Sequence, residues 1–382
     1  MQDNFVCGEL TCTGCGACVD ACPFQALHMM EVGLCGDPAP IVDSDACRNC
    51  GRCHSVCPAC SPVELRMPFK TYAAWSSEPS DIALSSSGGL ATVLAREVIS
   101  EGGIVFGTAS IEGEARCISV EQEDGLESLR GSKYVYSSPA GAYNRVKGFL
   151  AKGRKVLFVS TPCQVAALRA IVGDSNEGLL CVDLICHGTP PISFLREHLN
   201  CKTDGCWDSF SFRGANDFHL CAYSDGKIVF DERCFEDEFF SVFVAGVIHR
   251  DACYECPYAC NQRTGDITLG DFWGLDKSTL GVTPPGKVSL VLCNTQAGVD
   301  ALAKLSESAY FEERQFSEAD NQEQTNLHEP SAKTKDRQRF IRAYGKVGFD
   351  AAVHRTWVWK RFWLRAMKHK TLGLIGRHGE NE

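Results

Sequence analysis

Two cysteine quartets with the same spacing stand near the start of this chain of 382 residues. Each quartet reads C-x2-C-x2-C-x3-C and is followed by a proline, Pro23 in the first and Pro58 in the second. In this pattern three thiolates hold one 4Fe-4S cluster and the fourth reaches across to a neighbouring cluster. The spacing therefore predicts two clusters. The first would be held by Cys12, Cys15, Cys18 and Cys57, and the second by Cys47, Cys50, Cys53 and Cys22.

Structural zinc and disulfide bonds are the alternatives, because C-x2-C pairs also form zinc sites and cysteine-dense chains are often secreted scaffolds. Neither accounts for two evenly spaced quartets with a proline behind each. Disulfide scaffolds are usually short, whereas this chain is long and 44% hydrophobic. No signal-peptide pattern precedes Cys7, and no uncharged run reaches the roughly twenty residues of a spanning helix. We therefore expect a protein of the reducing cytoplasm.

Length and charge suggest how the chain is divided and what it binds. The length predicts more than one domain. We expect an α+β ferredoxin-like two-cluster domain over 1–65 and a Pro/Ser-bearing linker over 66–80. The net charge of −10 disfavours nucleic acid as a ligand. Within 1–65, eight acidic residues against Arg48 and Arg52 give −6, which suits docking to a basic redox partner or only keeps the domain soluble.

Strand–turn–helix repeats follow in the second part of the chain. Residues 155–159 are apolar and strand-like, and a helical pattern resumes after the turn at Cys163. Residues 179–185 and 192–199 repeat this design around Cys186. Such repeats predict an α/β domain with a mainly parallel sheet. Both cysteines would lie at the carboxyl ends of strands, where ligands gather in such sheets.

A third cysteine set completes the candidate metal sites. Cys253 and Cys256 form another C-x2-C pair, which brings two sulfurs within reach of one metal. We predict a third 4Fe-4S site from Cys163, Cys186, Cys253 and Cys256, with Cys260 as the rival for one position. The alternative is a group of ordinary buried cysteines. The cysteines without matching spacing are interpreted as reduced structural thiols: Cys7, Cys35, Cys60, Cys117, Cys181, Cys201, Cys206, Cys221, Cys234 and Cys293.

Several polar residues give weaker signals. The glycines after Ser87 lead into an apolar helical pattern over 90–99, and such a loop either holds a phosphate or only caps the helix. Lys133 would contact a phosphate or simply be exposed. His187 would donate a proton or, by the favoured interpretation, hydrogen-bond its own loop. Asp271 would orient a loop or flavin edge, or cap neighbouring backbone. No catalytic residue is assigned.

Two charged segments could form surfaces. The acidic run of Asp231, Glu232, Glu236, Asp237 and Glu238 would be a docking strip or, as we favour, a solvated face. The tail over 336–382 is basic and aromatic. In it Trp359, Phe362, Trp363 and Met367 recur at helical intervals. Such a helix lies on an anionic membrane or a partner, or packs on its own domain, which we favour.

Residues 81–335 resemble the family of beta subunits of coenzyme F-420 hydrogenases and dehydrogenases. The similar stretches are Ser87-Gly88-Gly89, GSKYVYS from Gly131, TPCQ from Thr161, DLICHG from Asp183, the Cys253–Cys256 pair and DITLGDFWG from Asp266. The resemblance implies an α/β flavin-binding fold with FAD beside a 4Fe-4S cluster. It implies FAD-phosphate contacts within 81–150, and the third cluster and flavin site within 151–335. The implied FAD-binding residues are Ser87, Gly88, Gly89, Ser132, Lys133 and Tyr134.

These features predict an iron–sulfur flavoprotein oxidoreductase. Because a flavin exchanges both hydrides and single electrons, it would connect 4Fe-4S clusters to a small organic substrate. A redox partner protein or a ferredoxin would exchange electrons with the clusters. One alternative is an electron-input subunit that oxidises reduced coenzyme F-420 for a larger complex. Another is a non-enzymatic electron relay without flavin.

Overall fold

The computed structural model describes residues 6–139, 141–173, 176–213, 218–234 and 236–364. In chain order, its strands are β1 (Leu27–Val32), β2 (Asp37–Val42), β3 (Lys70–Ser76), β4 (Ile104–Ile111), β5 (Glu114–Val120), β6 (Val156–Ser160), β7 (Leu179–Leu184), β8 (Ser209–Ser211), β9 (His219–Ser224), β10 (Lys227–Arg233), β11 (Ile267–Asp271), β12 (Ser289–Cys293) and β13 (Ala309–Arg314). Its α-helices are α1 (Ala17–Asp20), α2 (Arg52–Ser55), α3 (Pro79–Leu84), α4 (Leu90–Ser100), α5 (Ala142–Leu150), α6 (Pro162–Val172), α7 (Ile192–Thr203), α8 (Glu238–Val244), α9 (Gln296–Ala303), α10 (Phe316–Ala319), α11 (Lys335–Val347) and α12 (Phe349–Val353).

The N-terminal unit repeats one small motif around an antiparallel hairpin. Helices α1 and α2 each begin inside a cysteine quartet, directly after Gly16 and Gly51. Both glycines have left-handed backbone, with φ of 76° and 75°, a conformation that side chains with a Cβ rarely adopt. Strands β1 and β2 pair between the two quartets. The repeated sequence thus forms a repeated local structure, as an α+β ferredoxin-like unit requires.

The main sheet is mixed rather than mainly parallel, which corrects the sequence-based prediction. Its eight strands run in the order β13-β3-β12-β11-β7-β6-β4-β5. Only the central β4, β6, β7 and β11 pair in parallel. Strands β12, β3 and β13 add antiparallel pairs on one side, and β5 does so on the other. The strand–turn–helix repeats account for the parallel centre, whereas these flanking strands come from segments that lack such repeats.

The segment 66–80 is not a linker throughout. It contains β3, which pairs with β12 on one side and β13 on the other. Ala73 and Ala74 in this strand are fully buried. The prolines and serines that flank the strand suggested an exposed connection, but the short apolar run between them is long enough for one strand.

Helices cover both faces of the sheet. Strand β6 illustrates the two-residue alternation of a buried strand. Leu157 packs with α4 in one core, while Val156 and Phe158 pack with α5 and α6 in another. Because the parallel strands are covered on both sides, their ends rather than their faces are open to ligands.

A further core, rich in phenylalanine, joins β8, β9 and β10 to helices α7, α8, α11 and α12. The acidic run enters this region, and Asp237 and Glu238 are buried there. The favoured interpretation of the run as a solvated face is therefore wrong for these two residues. Residues 357–364 continue as a helix, whereas Met367 and the rest of the predicted tail helix lie outside the described residues. In the described part of the chain, no helix is long and apolar enough to cross a membrane.

Candidate redox site

The first predicted cysteine set is brought together in the structure. All four of its members line one small cavity between the two quartets. These members are Cys12, Cys15, Cys18 and Cys57. All except Cys12 are buried. Cys57 reaches across from the second quartet, as the C-x3-C-P spacing predicts, so four free thiols from two segments face one space.

A fifth thiol, Cys7, lines the same cavity. Cys7 hydrogen-bonds to both Cys12 and Cys57. The first of these bonds lowers the pKa of Cys12 to about 7, and the second lowers that of Cys57 to about 5. The same contacts raise the pKa of Cys7 well above its ordinary value. Thiolates are the form that binds metals. Sequence spacing gives no signal for Cys7 beyond that of a structural thiol, because this cysteine lies outside both quartets.

The second set lies nearer to solvent. Cys47, Cys50 and Cys53 are close enough to interact electrostatically, and Cys50 is exposed. Cys22 packs against the same small core as Cys53. Backbone N–H groups donate to two of the sulfurs, from Asn49 to Cys47 at 3.5 Å and from Ala26 to Cys22 at 3.4 Å. The second set thus combines thiols with backbone amide donors near the protein surface.

The third set forms where two parallel strands end. Ser160 of β6 and Asp183 of β7 are register partners, so Cys163 and Cys186, each three residues later, lie side by side. Cys253 and Cys256 approach them from the 3-10 turn Asp251–Glu255. Burial, followed by the charges of Cys163 and Cys253, raises the pKa of Cys256 to about 12. The four predicted thiols are thus close enough for their charges to interact, and each of them is half-buried.

Cys260 is arranged differently from these four thiols. Its Sγ lies 3.4 Å from the carbonyl of Pro257 and 3.3 Å from that of Gln262, so its thiol donates within its own loop. Cys256, in contrast, interacts by charge with Cys163, Cys186 and Cys253. The geometry favours Cys256 over Cys260 as the fourth donor.

Asp183 and Arg263 anchor the loops of the third set, and sequence reasoning missed both. The Asp183 carboxylate accepts hydrogen bonds from Arg263 at 3.2 Å and from Thr264 and Gly265 backbone N–H groups at 2.9 and 3.0 Å. Arg263 also donates to the carbonyl of Cys260 at 3.1 Å. Both side chains are essentially buried. The available signal was a charged residue inside the apolar strand of Asp183.

The first and third sets adjoin each other. Cys15 and Cys163 are close enough for their charges to interact. Two buried tyrosines tie the first cysteine loop to the large domain, since Tyr136 donates to the Gly14 carbonyl at 2.8 Å and Tyr143 to that of Cys15 at 2.6 Å. The second set lies toward solvent, where Cys50 is exposed. The three sets thus form a series from the surface into the large domain.

The two segments implied in FAD binding also meet. The hydroxyls of Ser86 and Ser132 are 2.8 Å apart at the start of α4. Arg213 donates to the carbonyl of Ser86 at 3.0 Å, and Lys287 to that of Ser85 at 2.9 Å, so positive charge surrounds the loop. A helix N-terminus with cations is suited to phosphate.

The implied FAD residues themselves serve partly structural roles. A Cβ on Gly88 would lie 2.6 Å from the carbonyl oxygen of Ala74, so this glycine permits close packing. Gly89 has a left-handed φ of 89°. The Lys133 ammonium donates to the carbonyls of Ser128 and Arg130, and the Tyr134 ring packs against Phe243. The Ser87 hydroxyl donates to the Val288 carbonyl at 3.1 Å.

The His187 ring hydrogen-bonds to the end of α8 and to another loop rather than to its own loop, which corrects the favoured interpretation. Its Nε2 lies 3.0 Å from the carbonyl of Val244, and its Nδ1 lies 3.3 Å from the amide nitrogen of Asn326. These partners assign the proton to Nε2 and leave Nδ1 as the acceptor. Burial lowers the pKa of His187, which favours the neutral ring. Burial raises the pKa of Asp271.

Two family models match separate stretches of the chain. Residues 153–319 match the model described as the C terminus of the coenzyme F-420 hydrogenase/dehydrogenase beta subunit. Residues 11–60 match the model of a 4Fe-4S dicluster domain. The first match contains all four cysteines of the third set, and the second contains the eight cysteines of the two quartets.

Individual relatives are distant. An uncharacterized protein of Methanocaldococcus jannaschii is 26% identical over 230 residues, covering 50% of this chain and 62% of that protein. One of the subunits of the F(420)H(2) dehydrogenase of Methanosarcina mazei is 25% identical over 191 residues, covering 46% of this chain and 54% of that protein. The matches therefore span less than two thirds of either relative.

Among solved structures, a chain of the F-420-reducing NiFe hydrogenase complex from Methanosarcina barkeri aligns with a TM-score of 0.44. The identity is 16%, over 65% of this chain and 83% of that one, and so low a likeness carries no argument. The family models carry the conclusion instead. The chain is similar to a 4Fe-4S dicluster domain over 11–60 and to the C terminus of the coenzyme F-420 hydrogenase/dehydrogenase beta subunit over 153–319, which confirms the resemblance seen in its motifs.

Proposed function

We propose that this protein is an iron–sulfur flavoprotein oxidoreductase that passes electrons between three 4Fe-4S clusters and FAD. The observation that carries the proposal is the series of three four-thiol sets, with Cys15 of the first beside Cys163 of the third. The donor chemistry fits, because every one of these cysteines is a free thiol and tetrathiolate sets are typical of 4Fe-4S clusters. Bound clusters would supply one-electron transfer, and FAD would supply hydride chemistry.

The exposure of the three cysteine sets would decide where a redox partner and a substrate reach the clusters. Exposed Cys50 places the second set where a partner protein can approach. Burial of Cys15 and Cys18 keeps water from the first set. The third set lies in the large domain, at the sheet edge beside the His187 loop. A redox partner or ferredoxin would therefore exchange electrons at the second set, and a small organic substrate would react at the other end of the series.

The proposed flavin region would bind FAD mainly through its positive charges. Not all of the residues implied by the family would contact the phosphates. The cations Arg213 and Lys287 and the N-terminus of α4 would bind the phosphates. Ser87, Gly88, Gly89, Ser132 and Tyr134 would shape the loop against which the phosphates lie. Lys133 would bind a phosphate only by leaving its carbonyl partners.

Anaerobic purification of the full chain tests the proposal. We expect roughly twelve iron atoms per chain, as three four-iron clusters require, and one FAD released on denaturation. Replacing Cys163 with serine should remove about a third of the iron, while the control Cys117→Ser should retain it. Iron without FAD in the wild type would leave the non-enzymatic relay, and zinc in place of iron would overturn the proposal.

A second candidate is an electron-input subunit that oxidises reduced coenzyme F-420. It is favoured by the match to a relative from the F(420)H(2) dehydrogenase. Mixing the anaerobic protein with reduced coenzyme F-420 should then bleach the flavin and reduce the clusters within one turnover. Reduction by ferredoxin alone, with no response to reduced coenzyme F-420, would favour the first candidate.

A further inference from the structure

A buried cation, Arg250, lies between the first and third cysteine sets. Arg250 is 5% exposed. Its Nη1 donates to the carbonyl of Thr13 in the first cysteine loop at 2.6 Å. Its Nη2 lies 3.8 Å from the Sγ of Cys253 in the third set, and its Nε donates to the Thr189 hydroxyl at 3.2 Å. One side chain thus contacts both cysteine loops.

The first cysteine loop is shaped for this contact. Gly14 has a left-handed φ of 64°, and a Cβ at that position would lie 3.0 Å from Arg250 Nη1. The guanidinium also stacks over Tyr136, 4.9 Å from the ring centroid, and the Tyr136 hydroxyl binds the Gly14 carbonyl. The backbone of the loop therefore approaches Arg250 closely on two sides.

The charge of Arg250 lacks a carboxylate partner. Its donors contact carbonyl, hydroxyl and sulfur atoms, and among the described residues it forms no ion pair within 4.0 Å. Asp37 is a nearby carboxylate, and it acts on Arg250 only through longer-range charge. Buried charges in proteins are paired or coordinate metals. The thiols around Arg250 would supply the missing negative charge once they bind iron, because a tetrathiolate 4Fe-4S centre is anionic.

We propose that Arg250 is the shared counter-charge of the first and third clusters and raises the reduction potentials of both. The inference rests on the proposed cluster binding by these two cysteine sets. A positive charge favours the reduced state, which has gained one electron, over the oxidised state. The second set lies toward solvent, which screens charge, so its potential should depend little on Arg250. Arg250 is thus a positioning residue that shifts two neighbouring redox centres relative to the second.

The test compares Arg250→Gln and Arg250→Lys in the anaerobically reconstituted full chain. Electron paramagnetic resonance during a redox titration gives the midpoint potential of each cluster, and iron analysis gives occupancy. Arg250→Gln should lower two of the three midpoints by at least a tenfold change in the one-electron equilibrium, which is about 59 mV. Arg250→Lys keeps the charge and should shift them less. The midpoint potential of the cluster at the second set should stay unchanged in both variants.

Arg337→Gln is the matched control. Arg337 is also buried, but it donates to the Val247 carbonyl at 3.2 Å and pairs with Asp251 at 3.1 Å rather than contacting a thiol. Its replacement should leave all three midpoints unchanged. Loss of iron in Arg250→Gln but not in Arg250→Lys would support the proposal. Fully loaded Arg250→Gln with unchanged midpoints, or a shift of only one, would overturn it. A wild type without iron would instead overturn the proposed function.

Discussion

Cys7 illustrates how much one residue changes the first site. Its thiol sits against Cys12 and Cys57 and lowers the pKa of both. A fifth thiol beside four is either a competing ligand or a hydrogen-bond donor. Since Cys12, Cys15, Cys18 and Cys57 already complete a 4Fe-4S ligand set, we interpret Cys7 as the donor. Hydrogen bonds to cluster sulfurs raise reduction potentials.

Replacing Cys7 with alanine should therefore retain all iron but lower the midpoint potential of the first cluster. Cys7→Ser keeps a donor and should restore most of the potential. Iron analysis and a redox titration of the anaerobic protein measure both quantities, with the buried thiol replacement Cys117→Ala as the control. Loss of about four iron atoms from Cys7→Ser would make Cys7 a ligand and contradict this interpretation.

The ends of β7 and β11 illustrate how an element positions the third site. Asp183 of β7 fixes Arg263 and the backbone that leads from Cys256 into β11. Breaking one partner of a buried charge pair costs about 3–5 kcal/mol. The loop is thus held by the sheet rather than by its own sequence.

We predict that Asp183→Asn lowers the free energy of unfolding by a few kcal/mol and releases the iron of the third set. Asp81→Asn is the matched control, because the fully buried carboxylate of Asp81 in α3 pairs with Arg96 at 3.0 Å and with Arg130 at 2.9 Å, outside the cysteine loops. It should destabilise the protein similarly while retaining that iron. Denaturant unfolding and iron analysis test this prediction, which fails if Asp183→Asn keeps full iron.

A buried histidine connects three helices in the phenylalanine-rich core. His198 of α7 contacts Asp237, the N-cap residue of α8, at 2.8 Å and Asp350 of α12 at 2.6 Å. Burial alone would lower its pKa, but the charges of Asp237 and hydrogen bonds to both carboxylates outweigh burial and raise it to about 10. The ring is therefore a cation in the folded protein.

Stability should consequently fall with rising pH. The unfolded histidine loses its proton near its ordinary pKa of about 6.5, whereas the folded one keeps it to about 10. The contribution is complete below the lower value and is lost between the two, with a slope of up to about 1.4 kcal/mol per pH unit. Anaerobic denaturant unfolding at pH 7, 8 and 9 should show this slope in the wild type and a smaller one in His198→Gln. Equal slopes would contradict the assignment.

At the scale of the molecule, the three thiol sets differ in exposure. The second set carries exposed Cys50, whereas three of the four cysteines of the first set are buried and those of the third set are half-buried. Because of this difference in exposure, we expect the second set to be the contact for the proposed partner protein and the site most open to chelators. The large domain, joined through Tyr136, Tyr143 and Arg250, shields the rest.

An iron chelator added to the loaded protein should therefore act in two phases. We expect about four of roughly twelve iron atoms to leave first, together with the resonance signal of the second cluster. Cys50→Ser should remove the fast phase, and Cys18→Ser should retain it. Loss of iron in a single phase, or loss of iron first from the first or third set, would contradict the order inferred from exposure.

The local parts of this protein were predictable from its sequence. Metal-ligand spacing and hydrophobic periodicity act over a few residues, so they predicted both quartets, the helix α4 and the parallel strands β6 and β7. They also predicted that Cys163 and Cys186 would meet, because neighbouring parallel strands end at one sheet edge. The F-420 family resemblance followed from the same short motifs.

Only the tertiary structure decided the rest, because it depends on residues far apart in the chain. Strand β3 joins the sheet only because distant β12 and β13 provide its partners. Asp237 is buried because His198 neutralises it. Arg250 and Cys7 acquire their roles from loops folded against them. Pairing of charges and strands across long separations leaves no spacing signature, whereas iron ligation by neighbouring cysteines does.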